Sequence, residues 1–191
     1  MKTIVDVLKK IRDKNEYVCI HSNVNDTTKF IFGKIIGLDD VFFALSMISP
    51  DGKVDGIVIK EIDDIQYVEQ SISYTEKICR LMSYWNEEKR TEDIYPTVTD
   101  NILQWGLELA KKSKYVVSLE INNSGILDII GIIMENEKNV CVIKQIDENG
   151  QEDGVCYVAH EDITQLSMNS SDEKRVSILF QTDYTSINYT I

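Results

Sequence analysis

Cys19 and His21 stand two residues apart in Tyr17-Val18-Cys19-Ile20-His21, a spacing that puts both side chains on one face of an extended chain. A thiol beside an imidazole is the start of a nucleophile–base pair. It is far more commonly the pattern of a packed strand with a hydrogen-bonded histidine, which asks for nothing else in the chain, and that is the expectation. The other histidine opens His160-Glu161-Asp162, where a turn would leave it free to act as a pH-sensitive contact. The carboxylate pairs Asp39-Asp40 and Asp63-Asp64 could chelate a hard cation, but nothing nearby completes a shell of about six oxygens. Adjacent turn carboxylates ordinarily just face water.

Other chemistries lack their residues. Cys19, Cys79, Cys141 and Cys156 lie far apart without a C-x-x-C pair, and the chain has 2 histidines. Zinc sites built from local ligand pairs are therefore excluded, and the cysteines read as buried thiols of a reducing compartment. No phosphate-cradling glycine loop, dinucleotide-binding fingerprint, zinc-protease helix or nucleophile elbow occurs. A non-enzymatic protein without a cofactor is expected. Tyr84, Trp85, Tyr95 and Trp105 surround a polar stretch; they either pack two halves of the molecule together or anchor a partner.

The elements that must position these residues recur at a constant shift of 98. It carries Gly33 onto Gly131, Ile31 onto Ile129, Asp55-Gly56 onto Asp153-Gly154 and Asp64-Ile65 onto Asp162-Ile163. It also carries Tyr17-Val18 onto Tyr115-Val116. The identities fall on glycines, turn aspartates and core positions, where backbone geometry or burial restricts choice. Each copy opens with an amphipathic helix, through Ile4, Val5, Leu8 and Ile11 and again through Ile102, Leu103, Leu107 and Ala110, at helical spacing. Lysines follow in the last turns, where they complement the helix dipole rather than form a nucleic-acid patch.

Five short apolar runs rich in Ile, Val and Phe come next in each copy, broken by turn sequences such as Pro50-Asp51-Gly52 and Glu148-Asn149-Gly150. They predict strands over 17–22, 29–38, 41–49, 56–62 and 65–69, then 115–121, 126–135, 140–147, 154–159 and 163–167. The capping boxes Ser73-Tyr74-Thr75-Glu76 and Ser170-Ser171-Asp172-Glu173 predict helices over 77–84 and 174–181. The expected organisation is a first α+β unit over 1–85, a linker over 86–97 and a second unit over 98–191 with a C-terminal tail.

Among the 191 residues, 32 are acidic and 20 basic, for a formal charge of -12, and 43% are hydrophobic. Such a chain can fill a core, and its surface repels a phosphate backbone unless its few cations cluster. Charges interrupt the apolar residues of the first ten positions, so no signal-peptide core forms there. No run approaches the ~20 apolar residues of a membrane span. A cytoplasmic protein that touches no membrane is expected.

Gly33-Lys34-Ile35-Ile36-Gly37-Leu38-Asp39-Asp40-Val41-Phe42-Phe43-Ala44-Leu45 resembles the first motif of the Sm-like small β-barrel family. That motif has a glycine in a bent strand, then an aspartate before a strongly apolar strand. The resemblance covers about two-thirds of each copy. The second copy keeps Gly131-Ile132-Ile133 but places Glu137 near the aspartate position. It implies an α+β, mainly β protein of two tandem five-stranded barrels, each with an N-terminal and a C-terminal helix. It also implies a homo-oligomer through barrel edge strands, and RNA contacts near Asp39, Asp40, Phe42 and Ile62-Asp63-Asp64, then near Asn136, Lys138, Asn139 and His160-Glu161-Asp162. RNA-binding members are basic at those loops, whereas this chain carries Asp63, Asp64, Glu161 and Asp162 there. Nucleic acid is accordingly not the expected partner. The leading expectation is an interaction protein that binds another, basic protein through an acidic surface, as a toxin-neutralising immunity protein does. Alternatives are an Sm-like RNA binder, or a small-ligand sequestering protein with its site between the copies near Tyr84, Trp85, Tyr95 and Trp105.

Overall fold

The computed structural model describes residues 3–23, 26–87 and 101–181. Helix α1 (Ile4–Asp13) begins where Thr3 and Asp6 cap each other: the Thr3 hydroxyl accepts from the Asp6 N–H at 3.2 Å, and Asp6 accepts from the Thr3 N–H at 2.9 Å. This reciprocal cap satisfies two of the donors that a helix start leaves free. Strands β1 (Tyr17–His21), β2 (Ile31–Leu38), β3 (Phe42–Ile48) and β4 (Val54–Glu61) follow. A 3-10 turn over Ile62–Asp64 leads into β5 (Tyr67–Glu69) and helix α2 (Ile72–Trp85). The second half runs α3 (Ile102–Ser113), β6 (Val116–Ile121), β7 (Ile129–Glu137), β8 (Val140–Ile146) and β9 (Glu152–Ala159). It ends with a 3-10 turn over His160–Asp162, β10 (Ile163–Met168) and α4 (Ser171–Gln181).

All ten strands join one open antiparallel sheet in the order β5-β1-β2-β3-β4-β10-β6-β7-β8-β9. The expectation of two closed five-stranded barrels, standing as self-contained tandem repeats, is therefore overturned. The physical reason lies at the seam, where Lys60, Ile59, Val58 and Ile57 of β4 pair with Gln165, Leu166, Ser167 and Met168 of β10. The unpaired edges of the two halves satisfy each other's backbone groups, which is one of the ways a sheet edge can be covered. The internal shift also needs correction. Val18 lies opposite Gly33, and Val117 lies opposite Gly131. The first strands thus correspond at a shift of 99, and Tyr17 aligns with Val116 rather than Tyr115.

Residues opposite one another across neighbouring strands share a face. At the seam, Ile59, Leu166 and Leu119 lie in one row on the face covered by α3, and with Leu103, Leu107 and Ala110 they belong to the largest core cluster. The helix can sit close because residue 106 is glycine; a Cβ there would lie 2.1 Å from Ile59 Cδ1. On the opposite face, α1 closes a second core over Val18, Ile20, Phe43, Leu45 and Val58. A third cluster packs α2, through Ile78 and Met82, on Cys19, Phe32 and Ile48. Gly33 permits a similar approach between strands, since a Cβ would lie 2.0 Å from the Ser46 carbonyl oxygen.

The helix starts differ in part from the capping-box reading. Helix α2 begins at Ile72, with Ser71 at the cap, so Ser73 and Glu76 lie inside it. At α4 the box is half made: Glu173 accepts from the Ser170 N–H at 2.9 Å, and Ser170 Oγ accepts from the Asp172 N–H at 3.2 Å. Most of the expected linker, with Tyr95, and the tail over 182–191 lie outside the described residues.

Candidate functional site

The structure disperses the residues singled out in the sequence. Asp39 holds the chain together: its Oδ1 accepts from the Val41 and Phe42 N–H groups at 2.7 and 2.6 Å, and its Oδ2 accepts from the Ile102 N–H at 2.7 Å. It thus closes the β2–β3 turn and ties the start of α3 to it. Asp40 is exposed with Lys9 at 3.9 Å, and Asp63 is exposed. Trp85 donates to the Asp51 carbonyl at 3.0 Å beneath Lys53, and Tyr84 stands largely free beside it. Trp105 belongs to α3 and packs half-buried on the central core. The tryptophans therefore do not build one site. His160 opens a 3-10 turn rather than a free loop. It is half-buried, its Nε2 has no hydrogen-bond partner, and burial lowers its pKa. Glu161 is exposed, and Asp162 accepts from the Asn122 N–H through its carbonyl at 2.9 Å.

The Cys19–His21 pair is locked in packing. His21 Nδ1 donates to the Thr27 carbonyl at 3.0 Å, and the ring stacks on Tyr67 with centroids 3.9 Å apart. Burial, with the Glu69 charge, pushes the Cys19 thiol up to about 11, so it is protonated near neutrality. Cys141 is pushed up to about 12 for the same first reason. Among the described residues no group of three or more His, Cys, Asp or Glu is placed to hold a metal ion.

Asp39 and Asp40 line one cavity, with Lys9, Phe42 and Asn101; Asp64 enters another, a cleft of about 470 Å³ on the α1 side of the seam. Its floor is one row across three strands, Lys60 of β4, Gln165 of β10 and Glu120 of β6. Lys60 Nζ lies 3.4 Å from Asp64 and 3.6 Å from Glu120, and the three side chains are 11%, 18% and 8% exposed. Glu120 also accepts from the Gly125 N–H at 2.8 Å. With its amide nitrogen facing the carboxylate, Asn123 donates to Asp64 at 3.0 Å. Burial raises the pKa of Asp64 against the pull of Lys60, and burial likewise raises that of Glu61 beside it. Ile20, Phe30 and Ile31 form one apolar wall, and Ile126 and Leu127 form the other.

A second feature lies at the far end of the sheet. Along β7, β8 and β9, register puts Glu135, Val142 and Tyr157 in one row and Ile132, Lys144 and Val155 in the next. Tyr157 is 75% exposed, and Met134, Val140 and Val155 are also open to solvent. Glu135, Glu137 and Asp153 stand exposed at the margin, and Lys144 pairs with Glu152. Burying a large apolar side chain is worth about 1.5–3 kcal/mol, so four such groups exposed together on the last three strands of the sheet form a patch that gains by being covered.

No family model matches the chain, and no characterised protein or solved structure matches it. No helix among the described residues is long and apolar enough to cross a membrane.

Proposed function

We propose that this chain is a non-enzymatic interaction protein that takes a basic protein partner on the open β7–β8–β9 face. The observation that supports it is the exposure of Met134, Val140, Val155 and Tyr157 together, on strands that end the sheet, with carboxylates at their margin. An apolar centre with a charged rim is the anatomy of a protein interface. The formal charge of -12 speeds encounter with a cationic partner. A basic toxin occluded by this face is the kind of partner the chemistry suits. The test is affinity capture at low and high salt with the wild type and Tyr157→Asp. A stoichiometric basic protein retained by the wild type and lost by the variant supports the reading. Equal retention by both, or no stoichiometric partner, sinks it.

One observation favours a second reading, that the cover is another copy of this chain. Shifted by 98 residues, Met134, Val140, Val155 and Tyr157 correspond to Ile36, Phe42, Ile57 and Ile59, all of them buried in the central core under α3. In the first half these positions are covered by α3, whereas in the second half they are left open. Sedimentation over a range of concentrations separates the readings, because self-association raises the mass of the pure protein and Tyr157→Asp abolishes that rise.

A further inference from the structure

We infer that the seam cleft is a binding site for a small amphipathic cation, a primary ammonium or guanidinium carried on an apolar body. The site is separate from the β7–β8–β9 face. Three features of the cavity lead to this ligand. Its volume of about 470 Å³ falls within the span of roughly 300–1,000 Å³ typical of small-molecule sites. Its floor holds one ammonium, Lys60, between two carboxylates, Asp64 and Glu120, so the buried group as a whole is one positive charge short. Each side of the cleft also supplies apolar surface, Ile20, Phe30 and Ile31 on one and Ile126 and Leu127 on the other, beside Ser22, Asn23 and Asn123, and Ile126 is 67% exposed.

Charge and shape select the class together. An anion entering the floor would meet two carboxylates with one ammonium already shared between them. A cation meets the same carboxylates and supplies the missing charge, in a site sheltered enough that ion pairs are weakly screened. A hydrophilic ion such as sodium would leave Phe30, Ile126 and Leu127 uncovered, whereas an alkyl body removes their surface from water. The remaining lysine of the lining, Lys29, sits at the mouth, 70% exposed and 3.9 Å from Asp26, so it does not complete the floor.

The test uses the full chain with hexylammonium, hexanoate and hexanol as probes, read by calorimetry and by amide chemical shifts. Hexylammonium should saturate, moving the amides of Phe30, Gly125, Ile126 and Leu127, with hexanol weaker and hexanoate silent. Glu120→Gln should weaken hexylammonium about tenfold or more, the size of a lost charged contact. Because Glu120 is buried, Ile126→Ser serves as the second variant; it lies on the surface and should weaken the same probe severalfold with the fold intact. Tyr157→Asp should leave hexylammonium binding unchanged, which keeps this site distinct from the partner face. The inference is overturned if hexanoate binds as tightly as hexylammonium, if no probe saturates, or if the shifts fall away from the cleft.

Discussion

Replacing Lys60 by methionine removes the ammonium that lies between Asp64 and Glu120 while keeping an unbranched apolar stem. At 3.4 and 3.6 Å each pair attracts by roughly 5 kcal/mol in an effective dielectric of about 20, before desolvation is counted. Desolvation offsets most of that, so the net value of the cluster is small and the cost of breaking it is large. Removing one partner of a buried pair typically costs about 3–5 kcal/mol, because the other charge is left uncompensated. At about 2–4 °C per kcal/mol for a chain of this size, Lys60→Met should lower Tm by roughly 6–20 °C. The triple variant Lys60→Met, Asp64→Asn, Glu120→Gln should recover most of it. Neutral amides need no counter-ion, and the side-chain carbonyl that replaces the Glu120 carboxylate can still accept from the Gly125 N–H. Urea denaturation of the single and triple variants measures both numbers. Acidity supplies a signed check. Burial already raises the Asp64 pKa in the wild type, and without Lys60 it rises further. A carboxylate whose folded pKa exceeds its unfolded value costs stability above that pKa and ceases to do so below it. The deficit of Lys60→Met should therefore shrink as the pH falls from 7 toward the ordinary carboxylate range. A single-variant loss under about 1 kcal/mol, or a triple variant no better than the single, refutes the view that these charges are desolvated and interdependent.

Two further outcomes follow from the same structure. Asp39→Ala leaves the Val41, Phe42 and Ile102 N–H groups without their acceptor and should cost about 1–3 kcal/mol in the urea midpoint, with faster amide exchange at the start of α3. Cys19 and Cys141, at about 11 and 12, should alkylate at pH 8 at least about a hundredfold more slowly than a free thiol, reaching the free rate in urea; fast labelling of the folded protein would contradict their burial.

Much of the local structure was legible from residue pattern. Alternation and turn residues placed each strand within a few positions, because Pro50-Asp51-Gly52 and Glu148-Asn149-Gly150 interrupt the apolar runs where the sheet reverses. What pattern could not show is which edges meet. The runs over 56–62 and 163–167 read as barrel strands on their own, and nothing within either run says that they pair with each other. The cleft was missed for a related reason. Lys60 follows Gly56-Ile57-Val58-Ile59 and Glu120 follows Val116-Val117-Ser118-Leu119, so each looks like a charge near a strand end reaching water. Parity was the available signal: Lys60 shares a face with Val58, which the core buries. The open face was hidden because Tyr157 and Val155 have the same composition as core strand residues, and only the absence of a covering element separates them.

The seam has a consequence for how the protein is made. Ile57–Lys60 must wait for Gln165–Met168, over a hundred positions later in synthesis, before that side of β4 finds its neighbour. Until then the emerging first half carries a row of unsatisfied backbone groups along a strand of Ile-Val-Ile, the kind of edge that captures other chains. A ribosome that stalls or terminates before residue 163 releases a sticky fragment, so premature truncation should be harmful beyond the simple loss of the missing part.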